Sequence, residues 1–146
     1  MEKPILQEIR KDFYTYRNGI LADSLRNLYP DHTKIFGLMV PQFIEVAKKY
    51  PKDLELGKAL WEDKSTRESR LLALYILPAE KIDKELAKRL FHEIQSIEEA
   101  DFLAFRILRH LPFARDLYEE LTDDETPAPL KEYSLRMFKK NLDSIA

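Results

Sequence analysis

Apolar residues recur along this chain at intervals of three and four positions, with polar residues between them. From Lys3 to Tyr16 this spacing predicts an amphipathic helix, because residues three and four apart share one helix face. The turn dipeptide Asn18-Gly19 then leads to a second short helix that ends before Pro30. We therefore expect the first two helices to form a hairpin.

Proline and aspartate mark the beginnings of the next helices. The segment Asp31 to Val40 is predicted to be a loop. Pro41 suits the first turn of a third helix, where its missing N–H costs no hydrogen bond, and that helix is predicted to end near Tyr50. Asp53 is predicted to cap a fourth helix.

Two capping-box patterns predict further helix starts. Ser65 with Glu68 precedes the apolar run Leu71 to Leu77, which we expect to be the most buried helix. Ser96 with Glu99 opens a helix predicted to extend to about Leu111. The remaining helices are predicted between Pro78 and Ile94, from Pro112 to Leu121, and from Pro127 to Leu142 after the acidic loop Thr122 to Thr126.

These patterns together predict an all-α fold. About nine short helices joined by short links pack antiparallel, and a single pair buries its apolar face only when neighbouring pairs stack on it. We therefore predict an α-α superhelix, a solenoid of the HEAT-like type, as a single domain over residues 1–146. No literal repeat is visible, so a compact irregular helical bundle is the alternative.

Composition narrows the functions that the chain can have. It has no cysteine, which excludes disulfides and zinc-thiolate sites, and its three histidines, His32, His92 and His110, lack metal-ligand spacing. We therefore expect no metal and no cofactor. The sequence has no apolar run long enough for a membrane span, and a cytoplasmic location is expected. The net charge of −2 excludes a globally basic protein, but 24 Lys and Arg residues can still form a basic surface.

On the predicted helix from Ile97 to Leu111, Asp101 falls within an apolar face. The apolar residues of this face are Ile97, Ala100, Ala104, Ile107, Leu108 and Leu111. Such a carboxylate either hydrogen-bonds the end of a neighbouring helix or pairs with a basic side chain. The alternative is that it projects into a groove as a catalytic group that a charge partner keeps ionised. Arg136 on the last helix is a candidate partner, and the alternative is that it belongs to a solvated basic face. Trp61 is expected to be a core residue.

Four segments resemble the AlkC/AlkD-like DNA alkylation repair family. They are IFGLMVP at 35–41, AKKY at 47–50, LWE at 60–62 and ESRLLAL at 68–74, where the last two match the family's "LW" and "E-x-R-x-x-A" helix pair. The resemblance covers the chain from about Ile20 to Leu142. It implies a HEAT-like solenoid whose concave, basic face holds duplex DNA, with active members excising N3- or N7-alkylated purines.

The resemblance also implies roles for individual residues. Asp101 matches the family's catalytic aspartate, and Arg136, in the run EYSLR at 132–136, matches a DNA-contacting arginine. The tryptophan expected four residues before the aspartate is Ile97 here, and a second-helix aromatic is replaced by Ser24 or Leu25. Further basic residues are expected to contact phosphates, with solvated helix positions as the alternative, namely Arg67, Arg70, Arg106, Arg109, Lys139 and Lys140.

Three hypotheses for function follow. The first is a DNA glycosylase that uses Asp101 and Arg136 on duplex DNA containing alkylated purines. The second is a catalytically inactive binding module of the same fold, because Ile97 and the lack of a counterpart to the family's last helices weaken the aromatic walls of the groove. The third is a HEAT-type scaffold that recognises a protein partner.

Overall fold

A computed structural model describes residues 4–26, 34–123 and 128–145, and these residues form nine α-helices and no strand. The all-α prediction is therefore confirmed. The helices are α1 Pro4–Thr15, α2 Gly19–Arg26, α3 Val40–Lys48, α4 Leu54–Glu62, α5 Arg67–Ile76, α6 Lys84–His92, α7 Ile97–Arg106, α8 Ala114–Thr122 and α9 Pro129–Ile145. Short 3-10 turns lie at Ala79–Lys81 and Leu108–His110. Parts of the predicted loops at 31–40 and 122–126 lie outside the described residues.

The chain divides into two compact units, an N-terminal unit Met1–Leu77 and a C-terminal unit Pro78–Ala146. In the N-terminal unit, α5 packs against α3 and α4. All ten residues of α5 are buried, as expected from its apolar run. In the C-terminal unit, α7 packs against α9, and α8 packs against α6 and α9. No described helix combines the length and the apolar character needed to cross a membrane.

Several helix starts follow the local sequence signals. The Asp53 side chain accepts a 2.8 Å hydrogen bond from the Leu56 N–H, which confirms the predicted cap of α4. At the start of α7, Ser96 Oγ accepts a 3.1 Å hydrogen bond from the Glu99 N–H. The Glu99 carboxylate reaches back to the N–H of Gln95 at 2.8 Å. Ser96 therefore satisfies a backbone donor of the first helical turn, and Glu99 binds the backbone of the residue before the N-cap.

The predicted capping box at Ser65 and Glu68 is wrong. Thr66 is the N-cap residue of α5, and Ser65 Oγ donates to the Asp63 carboxylate instead. Glu68 is fully buried and accepts hydrogen bonds from the backbone N–H groups of Phe36, Gly37 and Leu38, at 2.9, 3.0 and 3.4 Å. The carboxylate therefore binds a loop about 30 residues away in sequence, where it replaces water for three backbone donors.

A buried arginine neutralises this carboxylate. Arg67 Nη1 lies 2.6 Å from Glu68 Oε2 and also donates to the Leu38 carbonyl oxygen at 3.1 Å. A buried charge is costly unless it is paired and hydrogen-bonded. Arg67 and Glu68 meet this condition by pairing with each other and by hydrogen-bonding the backbone of the loop. The prediction that Arg67 contacts a phosphate is therefore wrong, because Arg67 is a core residue that is 4% exposed.

Two further predictions fail in the C-terminal unit. The helix that begins at Ile97 ends at Arg106, and Leu108 to His110 form a 3-10 turn, so the predicted extension to Leu111 is wrong. Leu111 is extended because a following proline disfavours helical geometry. Ile97, which was placed on the apolar face, is 57% exposed, whereas Ala100, Leu103 and Ala104 are buried.

Candidate functional site

The Asp101 side chain on α7 is half-buried and is hydrogen-bonded to a side chain of α9. Its Oδ1 accepts a 2.7 Å hydrogen bond from the hydroxyl of Tyr133. In the described part of the chain this hydroxyl is the one hydrogen-bond partner of the carboxylate, so that Oδ2 has none. Both residues belong to the C-terminal unit, where α7 and α9 pack directly on each other.

The hydrogen bond changes the titration of the tyrosine. The bond to Asp101 raises the pKa of Tyr133 above its ordinary value, and partial burial and the negative charge of Asp101 act in the same direction. The positive charge of Arg136 opposes these effects but does not cancel them. At neutral pH the hydroxyl therefore remains protonated and serves as a donor to the carboxylate.

Arg136 does not pair directly with Asp101 among the described residues, so the predicted charge partner is wrong. The hydroxyl of Tyr133 takes that place instead. Arg136 lies one turn further along α9, with its Cζ 5.7 Å from the centroid of the Tyr133 ring, and its side chain is exposed. The guanidinium is thus near the carboxylate's partner and remains open to solvent.

Two exposed apolar side chains flank Asp101 along α7. Ile97 is four residues before it and Phe105 four residues after it, so that the three lie on one strip of the helix. Their exposed fractions are 57% and 50%, so both offer apolar surface to solvent beside the carboxylate. The Arg109 guanidinium lies over the Phe105 ring, with its Cζ 3.9 Å from the centroid.

Sequence reasoning missed Phe105 and Tyr133. The spacing of four from Asp101 could have indicated Phe105, and Tyr133 was in view only as part of the motif around Arg136. The structure therefore brings together a carboxylate, a tyrosine, two guanidiniums and an exposed aromatic ring. We call these five residues the α7–α9 site: Asp101, Tyr133, Arg136, Phe105 and Arg109.

The other predicted DNA contacts are scattered. Lys139 and Lys140 are exposed on α9, and Arg106 is half-buried at the end of α7. Arg70 is different, because it is completely buried in the N-terminal unit. Its Nη1 donates to the Trp61 carbonyl oxygen at 2.7 Å, and its guanidinium stacks on the Trp61 ring. A buried guanidinium cannot reach a phosphate, so the prediction that Arg70 contacts DNA is wrong.

A surface groove adjoins the α7–α9 site at Arg109. Its volume is about 360 Å³, and its lining includes both Arg109 and Arg115 together with one acidic residue, Asp116. No group of three or more His, Asp or Glu side chains with the arrangement of a metal site lies within residues 4–26, 34–123 or 128–145.

The chain was compared with models of protein families. A family model described as DNA alkylation repair enzyme matches residues 9–127. This match includes Asp101 and ends before Tyr133 and Arg136. Comparisons with curated proteins and with solved structures give no match.

Proposed function

This chain belongs to the DNA alkylation repair enzyme family, and we propose that it binds duplex DNA and excises N3- or N7-alkylated purines as a DNA glycosylase. One observation carries the proposal. The carboxylate of Asp101 is half-exposed, has one oxygen without a hydrogen-bond partner in the described residues, and lies between the exposed side chains of Ile97 and Phe105.

The chemistry needs little beyond this carboxylate. An N3- or N7-alkylated purine is already cationic, so its ring accepts the electron pair of the breaking N-glycosidic bond without a prior proton transfer. Positive charge then develops on the sugar, and a nearby carboxylate stabilises it. Water adds to the anomeric carbon and loses its proton, for which the same carboxylate is a suitable acceptor. In this proposal Asp101 performs both tasks.

Basic side chains of the C-terminal unit supply the contact with DNA. Arg136 and Arg109 lie at the α7–α9 site, and Lys139 and Lys140 follow on the same helix as Arg136. Such cations contact phosphates irrespective of sequence, and the affinity falls as salt rises because each contact releases a counterion. Exposed Phe105 adds an apolar surface beside the carboxylate, against which an unpaired base can stack.

The strip of α7 formed by Ile97, Asp101 and Phe105, called the α7 strip below, favours a second candidate function, which is DNA binding without excision. Ile97 occupies the position one turn before Asp101 where the family resemblance calls for tryptophan. An isoleucine there offers no π face, so it holds a damaged nucleotide less firmly than an aromatic ring does.

The experiment is base release from duplex DNA that carries N3-methyladenine or N7-methylguanine. Free base is measured with excess wild-type protein, with Asp101→Asn, and with Asp143→Asn as the matched control, because Asp143 is an exposed aspartate on α9. We expect release by the wild type and by Asp143→Asn, and a loss of at least about a hundredfold with Asp101→Asn. Salt-dependent binding without release by the wild type would leave only the second candidate. Absence of both binding and release would refute the two together.

A further inference from the structure

We infer that Tyr133 is a positioning residue for Asp101: its hydroxyl fixes one carboxylate oxygen, so that the other faces the sugar of the damaged nucleotide. The inference rests on the proposed function, and it adds a residue that the sequence motifs do not assign.

The geometry supports this role. The Tyr133 hydroxyl reaches Oδ1 of Asp101 at 2.7 Å from a second helix, and Oδ2 has no partner among the described residues. A single short hydrogen bond from a neighbouring helix restricts the carboxylate to one orientation while one of its oxygens remains available. An aspartate without this restraint would spend less time in the geometry that the reaction needs.

The chemical type of the partner matters as much as its position. A guanidinium paired directly with Asp101 would cancel the negative charge that must oppose the charge developing on the sugar. A neutral hydroxyl holds the carboxylate in place and adds no positive charge. The Arg136 guanidinium lies beside Tyr133, with its Cζ 5.7 Å from the ring centroid, and does not pair with Asp101. It is therefore available to bind a phosphate.

The titration of the tyrosine agrees with this arrangement. The pKa of Tyr133 is raised, first because its hydroxyl donates a hydrogen bond to Asp101 and then because of burial and the aspartate charge. This link provides a measurement that is independent of excision. If the bond exists in solution, removing the charge of Asp101 lowers the pKa of Tyr133 toward the ordinary value.

The first experiment follows the tyrosines by NMR after carbon-13 labelling at Cζ, with Tyr133 assigned from its missing signal in Tyr133→Phe. The pKa of Tyr133 is compared between the wild type and Asp101→Asn. We expect a decrease in Asp101→Asn. An unchanged pKa would overturn the inference, because the hydroxyl would then not be bound to the carboxylate.

The second experiment measures single-turnover base release and DNA affinity for Tyr133→Phe. This variant keeps the ring that packs near Arg136 and removes only the hydroxyl. Tyr118→Phe is the matched control, since Tyr118 also lies in the C-terminal unit and keeps its edge-on contact with Phe138. We expect about a tenfold slower release by Tyr133→Phe with a Kd within about twofold of the wild type, and no change in Tyr118→Phe.

The outcomes separate the inference from the proposed function. Release at the wild-type rate by Tyr133→Phe, with an active wild type, overturns the positioning role alone. A wild type that releases no base refutes the glycosylase itself and the role of Tyr133 with it. Equal losses of rate and affinity would also contradict positioning, because they would indicate a direct role of the hydroxyl in DNA binding.

Discussion

The Arg70 guanidinium stacks on the Trp61 ring, with its Cζ 3.6 Å from the ring centroid, and donates a 2.7 Å hydrogen bond to the Trp61 carbonyl oxygen. These residues come from two of the segments on which the family resemblance rests. Glu68, from the same segment as Arg70, binds the backbone of a third segment at 36–38. These three motifs of the N-terminal unit therefore hold one another together, and the charged side chains of Glu68 and Arg70 belong to its core.

Replacing Arg70 tests this assignment. Arg70→Ala leaves a cavity beside Trp61 and removes a desolvated cation–π contact and a hydrogen bond. We expect a decrease of about 2–4 kcal/mol in the free energy of unfolding, measured by urea denaturation. Exposed Arg115→Ala is the control and should change stability by less than about 0.5 kcal/mol. Unchanged stability together with weaker DNA binding would indicate that Arg70 lies on the surface, and it would contradict this assignment.

Gly37 has a backbone conformation that requires glycine. Its φ of +88° lies in the left-handed region, and a Cβ built there would clash with the carbonyl oxygen of Asn18. Gly37→Ala is therefore expected to lower the free energy of unfolding by about 2 kcal/mol or more. At Gly19, where a Cβ meets nothing within 4 Å, alanine should change stability by less than about 1 kcal/mol. Equal effects at the two positions would show that the strained turn at Gly37 is absent.

Asp63 should make stability depend on pH. Burial alone would raise the pKa of Asp63, but hydrogen bonds from Ser69, Ser65 and Arg10 outweigh burial and lower it below the usual 3.8. A lowered pKa in the folded state means that the stabilisation is fully present above about pH 4 and is lost as the pH falls through the folded-state pKa.

We therefore expect Asp63→Asn to be less stable than the wild type by about 1–2 kcal/mol at pH 7, with the difference shrinking toward pH 3. Urea unfolding at several pH values measures it, and exposed Asp116→Asn serves as the control. A difference that is constant with pH would mean that the ionised carboxylate contributes nothing.

Ile97 offers a gain-of-function test. Its side chain is 57% exposed one turn before Asp101, so a tryptophan fits there without repacking the core. Stacking of a base on an aromatic ring contributes about 1–3 kcal/mol, and we expect Ile97→Trp to bind methylated duplex about tenfold more tightly. Ile20→Trp, at an 84% exposed position of the N-terminal unit, controls for a general effect of surface tryptophan. A similar gain with both variants would argue against a specific role of the α7 strip.

Local signals in the sequence predicted much of the helical framework. The cap at Asp53, the serine at the start of α7 and the apolar run of α5 act over a few residues, so their consequences are visible without a tertiary structure. The same reasoning failed at Glu68, whose hydrogen-bond partners are 30 to 32 residues away. The spacing of apolar residues along the chain gives no information about which distant backbone groups a carboxylate will bind.

The site shows a similar division. The sequence pointed to Asp101 and to the region of Arg136, but it assigned the wrong partner, because the identity of the contact depends on how α9 packs on α7. The prediction that Arg70 contacts DNA fails because charged residues are rarely buried without partners, and the contacts of Arg70 with the Trp61 ring and carbonyl depend on the packing of α4 on α5.

The most direct test of the central claim measures binding to two abasic-site analogues in duplex DNA. A pyrrolidine analogue carries positive charge where it develops on the sugar during excision, and a tetrahydrofuran analogue is neutral. If the Asp101 carboxylate stabilises that charge, the wild type should bind the cationic analogue at least about tenfold more tightly, in keeping with the behaviour of transition-state analogues. Asp101→Asn should bind the two about equally. The same preference in both proteins would contradict the account.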